Sequence, residues 1–362
     1  MPKVEILSGG KAFDTLAASW DHLSRTCETV TPFQTRIWIE TWARNFASPS
    51  RLTTIVVREG ADVVGLFPLF SSVSPWRALR PAGTGPSDYL SPLLPDASLV
   101  GEMQDALVEL GRKRLIDLHQ QPSDHFFTAA LPYETIDQAR CLVLDLPPTY
   151  EEYVASLSKS LRYDVRRLGG KALTEKGAVV EWISPETVDE FADQFFQLHR
   201  LRWKSRGLPG AFFGRGERFQ REWMHAAVPV GLVMMNRLVA EGKPAGCVYA
   251  MRAGQTCYFY QAGMDPDASS LSPGTILVAK MIEWAIQEGC TTFDFMRGDE
   301  PYKRRWKPNR ERTNFRILLP PSGVLGNAGK WWNESAWQVE LKVRQRFEGK
   351  SLRPSKAPKP TP

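Results

Sequence analysis

The chain has 362 residues, which is long for one ordinary hydrophobic core and suits two domains. A formal net charge of +6 and an isoelectric point of about 9.0 are compatible with a polyanionic ligand, a nucleic acid or a membrane surface. No run of about 18 apolar residues occurs, so no transmembrane segment is expected. Five scattered cysteines without a CxxC pair predict reduced thiols in a cytoplasmic protein, and five scattered histidines predict no metal site.

The first half of the sequence predicts a helix, a hairpin, a second helix and a strand. Phe13, Leu16, Trp20 and Leu23 have the spacing of one apolar helix face. Two β-rich runs, 54–57 and 64–70, flank a glycine-containing turn and therefore predict a hairpin. A helical pattern then follows residues 95–98 and stops at a glycine, before a short strand that carries an aspartate: Gly111 and Asp117.

The second half repeats this order. Pro147-Pro148 marks a boundary, and a capping box of Thr149 and Glu152 opens a helix whose apolar face continues to residue 168. Another helix is predicted to start at Ser184-Pro185. A hairpin over 237–250, the Pro-Asp-Ala-Ser sequence at 266–269, a helix that stops at Gly289 and a strand over 292–295 then match the first half. The repeated order predicts a duplication.

These patterns predict an α+β fold of two similar domains with mixed β-sheets. The predicted domains are residues 1–147 and 148–322. Residues 323–362 are expected to hold an amphipathic helix near 331–347 and a disordered basic tail from 351 onward.

The second copy differs from the first by extra residues around 270–275. Ser272 is a suitable N-cap, Pro273 suits the first helical position, and Gly274 leaves the first turn uncrowded. Because the N–H groups and positive dipole of a helix N-terminus attract anions, this segment predicts a phosphate site. The alternative is that Ser-Pro-Gly is only a good helix start.

Several segments carry a family resemblance. They are residues 161–167, 199–203, 258–263, Pro273-Gly274 and, most distinctively, 293–303, together with 85–90 in the first half. Over about residues 30–318 the chain resembles the GNAT-superfamily acetyltransferases of the cellulose-biosynthesis (CelD/BcsL-like) type, which are related to the FemAB-like aminoacyl and peptidyl transferases. It lacks the Gln/Arg-x-x-Gly-x-Gly/Ala phosphate loop of ordinary GNAT enzymes, so Ser-Pro-Gly-Thr would have to serve instead.

The resemblance implies tandem GNAT-like domains and transfer of an acetyl or other acyl group from acyl-CoA to an amine or hydroxyl, without a metal. The acceptor would be a small molecule or a saccharide, such as a polysaccharide precursor, and the resemblance implies no particular oligomeric state. The expected cofactor-binding residues are Tyr260, Gln261, Gly263, Ser272, Gly274 and Thr275. Adjacent carboxylates and their neighbours are the expected catalytic group: Glu300 as the base, Tyr302 as the acid, Asp299 and Lys303.

An acceptor cleft between the two domains is expected from the preference of ligands for domain interfaces. Its predicted lining is Asp88, Tyr89, His199 and Trp203, and Arg162 is a further expected substrate-binding residue. The alternative is a turn for Asp88 and Tyr89, a solvated helix face for Arg162 and a core or capping role for His199. Two alternatives keep the fold. One is a FemAB-like transferase that uses aminoacyl-tRNA, the only nucleic-acid partner considered, and the other is a non-catalytic binding protein.

Overall fold

The computed structural model of the chain describes residues 2–73, 77–169, 177–205 and 212–319, and the single residues 173, 210, 321, 331 and 335. Its strands are β1 Lys3–Ser8, β2 Leu52–Glu59, β3 Asp62–Ser71, β4 Leu79–Pro81, β5 Ile116–Pro122, β6 Thr135–Asp145, β7 Ala178–Trp182, β8 Val233–Ala240, β9 Lys243–Ala253, β10 Thr256–Met264, β11 Thr292–Arg297 and β12 Arg310–Leu319. Its helices are α1 Lys11–Thr26, α2 Arg36–Phe46, α3 Val100–Gly111, α4 Phe126–Ala130, α5 Tyr150–Ser156, α6 Lys159–Gly169, α7 Val188–Lys204, α8 Arg215–Ala227, α9 Pro273–Gln287 and α10 Pro301–Arg304. Apart from Trp331 and Ser335, the predicted helix and tail after residue 330 lie outside the described residues.

The strands form one mixed sheet of twelve, in the order β1-β2-β3-β4-β5-β12-β6-β11-β10-β9-β8-β7. From either edge inward the same pattern appears. β1 to β4 pair antiparallel and β4 pairs parallel with β5. β7 to β10 pair antiparallel and β10 pairs parallel with β11. The two halves of the chain therefore share one topology, as the repeated sequence order predicts.

The two halves exchange a strand at the centre of the sheet. β6 belongs to the first half of the chain but pairs with β11, whereas β12 belongs to the second half but pairs with β5. β6 and β12 also pair with each other, so neither half-sheet leaves an open edge at the centre. The expectation of a separate sheet for each predicted domain is thus corrected. One sheet continues across the predicted domain boundary at residue 147.

An aromatic core also joins the halves. Trp38 of α2 is fully buried and packs edge-on against Phe219 and Trp223 of α8, with ring centroids 4.8 and 5.0 Å apart. The cluster extends from Trp20 of α1 to Tyr249 of β9. Edge-to-face aromatic packing adds to the stabilisation that comes from burial, so this core holds the first half against the second.

The helix predicted from residue 149 to 168 is broken in the structure. The Thr149 hydroxyl accepts a hydrogen bond from Glu152 N at 3.3 Å, as the capping box predicts. However, α5 ends at Ser156, and Ser158 caps the new helix α6 by accepting a hydrogen bond from Leu161 N at 3.3 Å. A serine that can cap offers the backbone an alternative to helix continuation, which the apolar spacing alone does not reveal.

Candidate active site

The site begins where β10 and β11 separate. The two strands pair only from Thr256 to Tyr258, although β10 continues to Met264 and β11 to Arg297. A bulge interrupts β10 after Phe259, and bulges bend a strand away from its neighbour. Beyond the bulge, the Ala262 carbonyl accepts a hydrogen bond from Arg202 Nη1 at 2.9 Å instead of one from a neighbouring strand.

A cavity of about 430 Å³ occupies this separation, and we call it the β10–β11 cavity. Arg202 and Arg305 contribute positive charge to its wall. The rest of the lining comes from β10, from the start of α9 and from the turn after β11: Phe259, Ala262, Met264, Asp265, Pro266, Ser269, Ser272, Pro273, Gly274, Thr275, Val278, Tyr302 and Trp306. The cavity thus connects a splayed strand edge to a helix N-terminus.

The start of α9 differs from the predicted N-cap in one respect. Ser272 adopts a left-handed conformation with φ of 51°, and its side chain makes no capping hydrogen bond. Its carbonyl instead accepts from Thr275 N at 3.0 Å. Gly274 leaves room for Met264, because a Cβ at this position would lie 2.5 Å from Met264 Cε and would displace the end of that side chain.

A second cavity, of about 570 Å³, lies between the two halves on the other side of β10, and we call it the interhalf cavity. The first half contributes Phe46, Gly85, Pro86 and Asp88. The second half contributes an aromatic wall and several polar side chains: Phe212, Phe213, Gly214, Arg215, Gly216, Phe219, Gln220, Tyr260, Gln261 and Arg297. The bulge in β10 places Phe259 and Ala262 in one cavity but Tyr260 and Gln261 in the other.

Buried charges anchor the first half beside this cavity. Asp88, of which 8% of the side chain is exposed, forms an ion pair with Arg297 and accepts a hydrogen bond from Arg297 N at 3.2 Å. The next residue, Tyr89, is buried and donates its hydroxyl to the Asp294 carboxylate, with O–O distances of 2.9 and 3.0 Å. Burial raises the pKa of Asp294, and the Arg312 guanidinium opposes this rise. The prediction that Tyr89 lines a cleft is therefore wrong, because its ring is a core contact between the halves.

The side chains of the predicted catalytic residues do not lie together in one site. Tyr302 lines the β10–β11 cavity. Lys303 is buried and its Nζ lies 2.6 Å from the Arg297 carbonyl and 2.9 Å from a Glu300 oxygen, so it clamps the turn after β11. Asp299 pairs with Arg304 on the surface. Neither carboxylate lines a described cavity, so the expectation that Glu300 faces an acceptor is not met.

Four other expected site residues are structural. Gly263 allows α7 to pack closely on β10, since a Cβ there would lie 2.6 Å from His199 N. His199 is buried and accepts a hydrogen bond from Trp203 Nε1 at 2.7 Å; burial, aided by Arg202 and Arg200, lowers the pKa of His199 to about 4.

The fourth is Arg162, whose Nη2 donates to the Leu157 carbonyl at 3.0 Å beside α6, and neither this side chain nor Trp203 lines a described cavity. In the family-like segments 161–167 and 199–203, Arg162 and His199 thus hold their helices in place. The structure adds cavity-lining residues that were not among the expected site residues, namely Arg202, Arg305, Phe212 and Gln220.

The first half has no comparable cavity in its described part. β4 and β5 pair only at Leu79 and Ile116, but the following segment fills the space between them. Leu90 N donates to the Gln120 carbonyl at 3.0 Å, and Gln121 Nε2 donates to the Leu90 carbonyl at 2.9 Å. A cavity of only about 10 Å³ remains near Leu90, so the first half contributes a wall rather than a second site.

Other functional groups are sparse in the part of the chain that the structure describes. All five cysteines are buried and unbridged. Within the same residues there is no cluster of three or more metal-binding side chains. None of the described helices is long and apolar enough to cross a bilayer.

Comparison with known proteins identifies one domain of the chain and the fold. Residues 159–304 match the family model described as an acetyltransferase (GNAT) domain. The crystal structure of FemX is similar over 87% of this chain and 97% of its own, with a TM-score of 0.63 and 13% identity. L-PGS from Bacillus licheniformis has a TM-score of 0.51 at 13% identity, over 87% of this chain and 94% of its own.

The C-terminal domain of a protein provisionally assigned as a lysylphosphatidylglycerol synthetase, from Agrobacterium fabrum, has a TM-score of 0.52 at 9% identity, over 81% of this chain and 90% of its own. The comparison with curated proteins gave no match. At these identities the structural likeness establishes the fold. The chain therefore has a tandem GNAT fold, and its residues 159–304 are a GNAT-type acyltransferase domain, which makes the protein an enzyme.

Proposed function

We propose that the protein transfers an acetyl or other acyl group from acyl-CoA to an amine or hydroxyl. The observation that carries the proposal is the β10–β11 cavity, which runs from a splayed strand edge to the N-terminus of a 15-residue helix and has two arginines in its wall. A helix N-terminus and cations suit a pyrophosphate, and an unpaired strand edge suits the amides of a pantetheine arm. Ser272, Gly274 and Thr275 would hold the phosphates.

In this proposal the thioester of the acyl-CoA lies beside β10. Backbone N–H groups beyond the bulge would stabilise the oxyanion that forms when the acceptor attacks the carbonyl carbon. The carbon–sulfur bond then breaks, and the Tyr302 hydroxyl would protonate the departing thiolate. The proton that the acceptor releases passes to solvent, and solvent returns a proton to the Tyr302 phenolate. The proposal assigns no proton transfer to Asp299, Glu300 or Lys303, because their ion pairs hold the turn that carries Tyr302.

The acceptor would enter from the interhalf cavity. Its aromatic wall, which includes Phe212, Phe213 and Phe219, suits the apolar face of a ring, while Asp88 and Arg297 can bind polar substituents. This composition agrees with a sugar or saccharide precursor as acceptor, the class that the cellulose-biosynthesis resemblance implies. The two cavities lie on opposite sides of β10, so donor and acceptor would approach the same bulge from opposite sides.

An aminoacyl-tRNA donor is the second candidate. The observation in its favour is the exposed basic face of α6, with Arg166 and Arg167, beside Arg305 at the β10–β11 cavity. A basic surface next to a donor site would attract a nucleic-acid backbone. The likeness to FemX and to the Agrobacterium domain is compatible with this donor.

A thermal-shift panel of acetyl-CoA, free CoA and charged tRNA separates the two candidates. A donor present at a hundred times its dissociation constant stabilises the folded state by about 2.7 kcal/mol. We expect both CoA compounds to raise the melting temperature and charged tRNA to leave it unchanged. A shift with charged tRNA alone would replace acyl-CoA by the second candidate.

Transfer assays then test the chemistry. Tyr302→Phe should lower kcat by about a hundredfold with unchanged CoA affinity, because it removes only the proton donor. Tyr163→Phe, which removes the same hydroxyl from an exposed tyrosine of α6, is the matched control and should leave kcat within about twofold. Normal turnover in Tyr302→Phe would remove this residue from the mechanism.

A further inference from the structure

A chain of buried hydrogen bonds reaches the interhalf cavity from the core of the second half. The Tyr249 hydroxyl donates to Gln220 Oε1 at 2.9 Å, and Gln220 Nε2 donates to the Tyr260 hydroxyl oxygen at 3.1 Å. The Tyr260 hydroxyl in turn donates to the Pro86 carbonyl at 2.8 Å. Tyr249 and Gln220 are fully buried, and Pro86 belongs to the first half.

The direction of this chain follows from the donors available. A glutamine amide has one oxygen that accepts and one nitrogen that donates. The Pro86 carbonyl can only accept, so the Tyr260 hydroxyl donates its single proton there and must accept from Gln220. The amide nitrogen of Gln220 therefore faces Tyr260, and the amide oxygen faces Tyr249, which donates to it. The proton of the Tyr260 hydroxyl then points away from Gln220, toward the Pro86 carbonyl. Gln220 thereby sets the direction in which Tyr260 donates.

The Pro86 carbonyl lies in a loop, residues 83–88, that forms the first-half wall of the interhalf cavity. Within the first half the loop is held by Trp38 Nε1, which donates to Ser87 Oγ at 2.9 Å. From the second half it is held by Tyr260, by the ion pair of Arg297 with Asp88, and by Asn314 Nδ2, which donates to the Asp88 carbonyl at 2.6 Å.

We propose that Gln220 is a positioning residue for the acceptor: it fixes the Tyr260 hydroxyl as a donor to Pro86 and so keeps the 83–88 loop in the wall of the acceptor site. The inference rests on the proposed function in taking the interhalf cavity as the acceptor site. It assigns no chemical step to Gln220, which is fully buried. The donor site on the other side of β10 does not depend on this chain of hydrogen bonds.

Three variants of the full chain test the proposal. Gln220→Met keeps an unbranched side chain of similar length and removes both hydrogen bonds of the amide. Tyr260→Phe removes the bond to Pro86. Tyr249→Phe is the control: it frees the Gln220 oxygen but leaves the bond between Gln220 and Tyr260 available. The loss of one hydrogen bond predicts a rise in the acceptor KM of about fivefold for each of the first two variants.

The kinetic pattern distinguishes positioning from a general structural role. We expect a raised acceptor KM with unchanged donor KM in Gln220→Met and Tyr260→Phe, little change in Tyr249→Phe, and no further rise when Gln220→Met is added to Tyr260→Phe. Equal losses in donor KM, acceptor KM and kcat would overturn the proposal, as would additive effects in the double variant.

Hydrogen exchange of the loop supplies a readout that does not need activity. Backbone amides of residues 84–90 should exchange faster in Gln220→Met and Tyr260→Phe than in the unaltered protein and in Tyr249→Phe. If the loop amides respond but no acyl transfer is found, the proposed function fails and the positioning of the loop stands. If transfer is found but the loop amides are unchanged in Gln220→Met, the positioning proposal fails alone.

Discussion

A carboxylate at the start of α9 should weaken CoA binding by electrostatic repulsion. Gly274 lines the β10–β11 cavity, next to where the proposed site holds the pyrophosphate. In Gly274→Asp the new charge would face a phosphate at about 5 Å, and a like-charge pair costs about 3 kcal/mol at that distance with an effective dielectric constant near 20. Salt screening at the cavity mouth reduces this to about 1.4 kcal/mol or more, which corresponds to at least about a tenfold loss of affinity.

The substitution also has a steric effect, which needs its own control. A Cβ at residue 274 would lie 2.5 Å from Met264 Cε and 2.9 Å from its sulfur, so any side chain must displace the end of Met264. Gly274→Ala introduces this displacement without charge. The difference between the two variants therefore measures the electrostatic contribution, which should shrink as the salt concentration rises.

Calorimetry of CoA and of acetyl-pantetheine, which lacks the pyrophosphate, provides the assay. We expect Gly274→Asp to weaken CoA binding at least about tenfold relative to Gly274→Ala, while both variants bind acetyl-pantetheine alike. Equal CoA affinity in the two variants, both folded, would refute the placement of the phosphates at α9. A loss for acetyl-pantetheine as large as that for CoA would show that the damage is steric.

Three further predictions concern stability and the junction of the halves. Gly263→Ala should destabilise the protein by about 3 kcal/mol in urea unfolding, because its Cβ would clash with the α7 backbone. Gly101→Ala is the control: it has open space around it in α3 and should stabilise the protein by about 0.5 kcal/mol. Equal effects of the two variants would contradict the packing argument. Burial lowers the pKa of His199 from 6.5 to about 4, so its contribution to the free energy of unfolding is complete above pH 6.5 and is lost as the pH falls toward 4. His199→Gln should make the free energy of unfolding decline less over this pH range. An unchanged pH profile in this variant would contradict the role given to His199. Asp88→Asn leaves Arg297 without its counter-ion and should cost about 2 kcal/mol and raise the acceptor KM, and a variant as stable as the unaltered protein would speak against this junction.

The fold could be predicted from the sequence because its signals are local and repeated. Hairpins, helix stops at Gly111 and before Gly289, and strands that carry Asp117 and Asp294 recur in one order in both halves. The strand exchange could not be predicted in this way. Nothing within residues 135–145 or 310–319 indicates that β6 and β12 pair across the halves, since that choice depends on which sheet edges are open after folding.

The site was predicted only in part, for a similar reason. Ser272, Gly274 and Thr275 line the β10–β11 cavity, and the sequence could single them out because a helix start is a local feature with a known affinity for anions. Asp299, Glu300 and Lys303 had the composition of a catalytic group, yet their charges pair with one another and with neighbours on the same turn. Sequence order does not show whether a charged side chain finds its partner nearby.

The wall of the interhalf cavity was the least predictable feature. It combines Phe212 and Gln220 with a loop of the first half. The packing of α2 on α8 and the hydrogen bonds and ion pair that the loop makes with the second half bring these segments together. Each segment taken alone has no pattern that indicates a ligand. Such a site becomes visible only when the tertiary structure brings the two halves together.

The most direct test of the account is a crystal structure of the protein with acetyl-CoA. The account predicts one CoA per chain, with its pyrophosphate against the first turn of α9 at Gly274 and Thr275, and its thioester at the bulge of β10 within reach of the Tyr302 hydroxyl. A CoA bound in the interhalf cavity or in the first half would contradict the assignment of the donor site. A protein that binds no CoA under these conditions but binds charged tRNA would contradict the proposed donor itself.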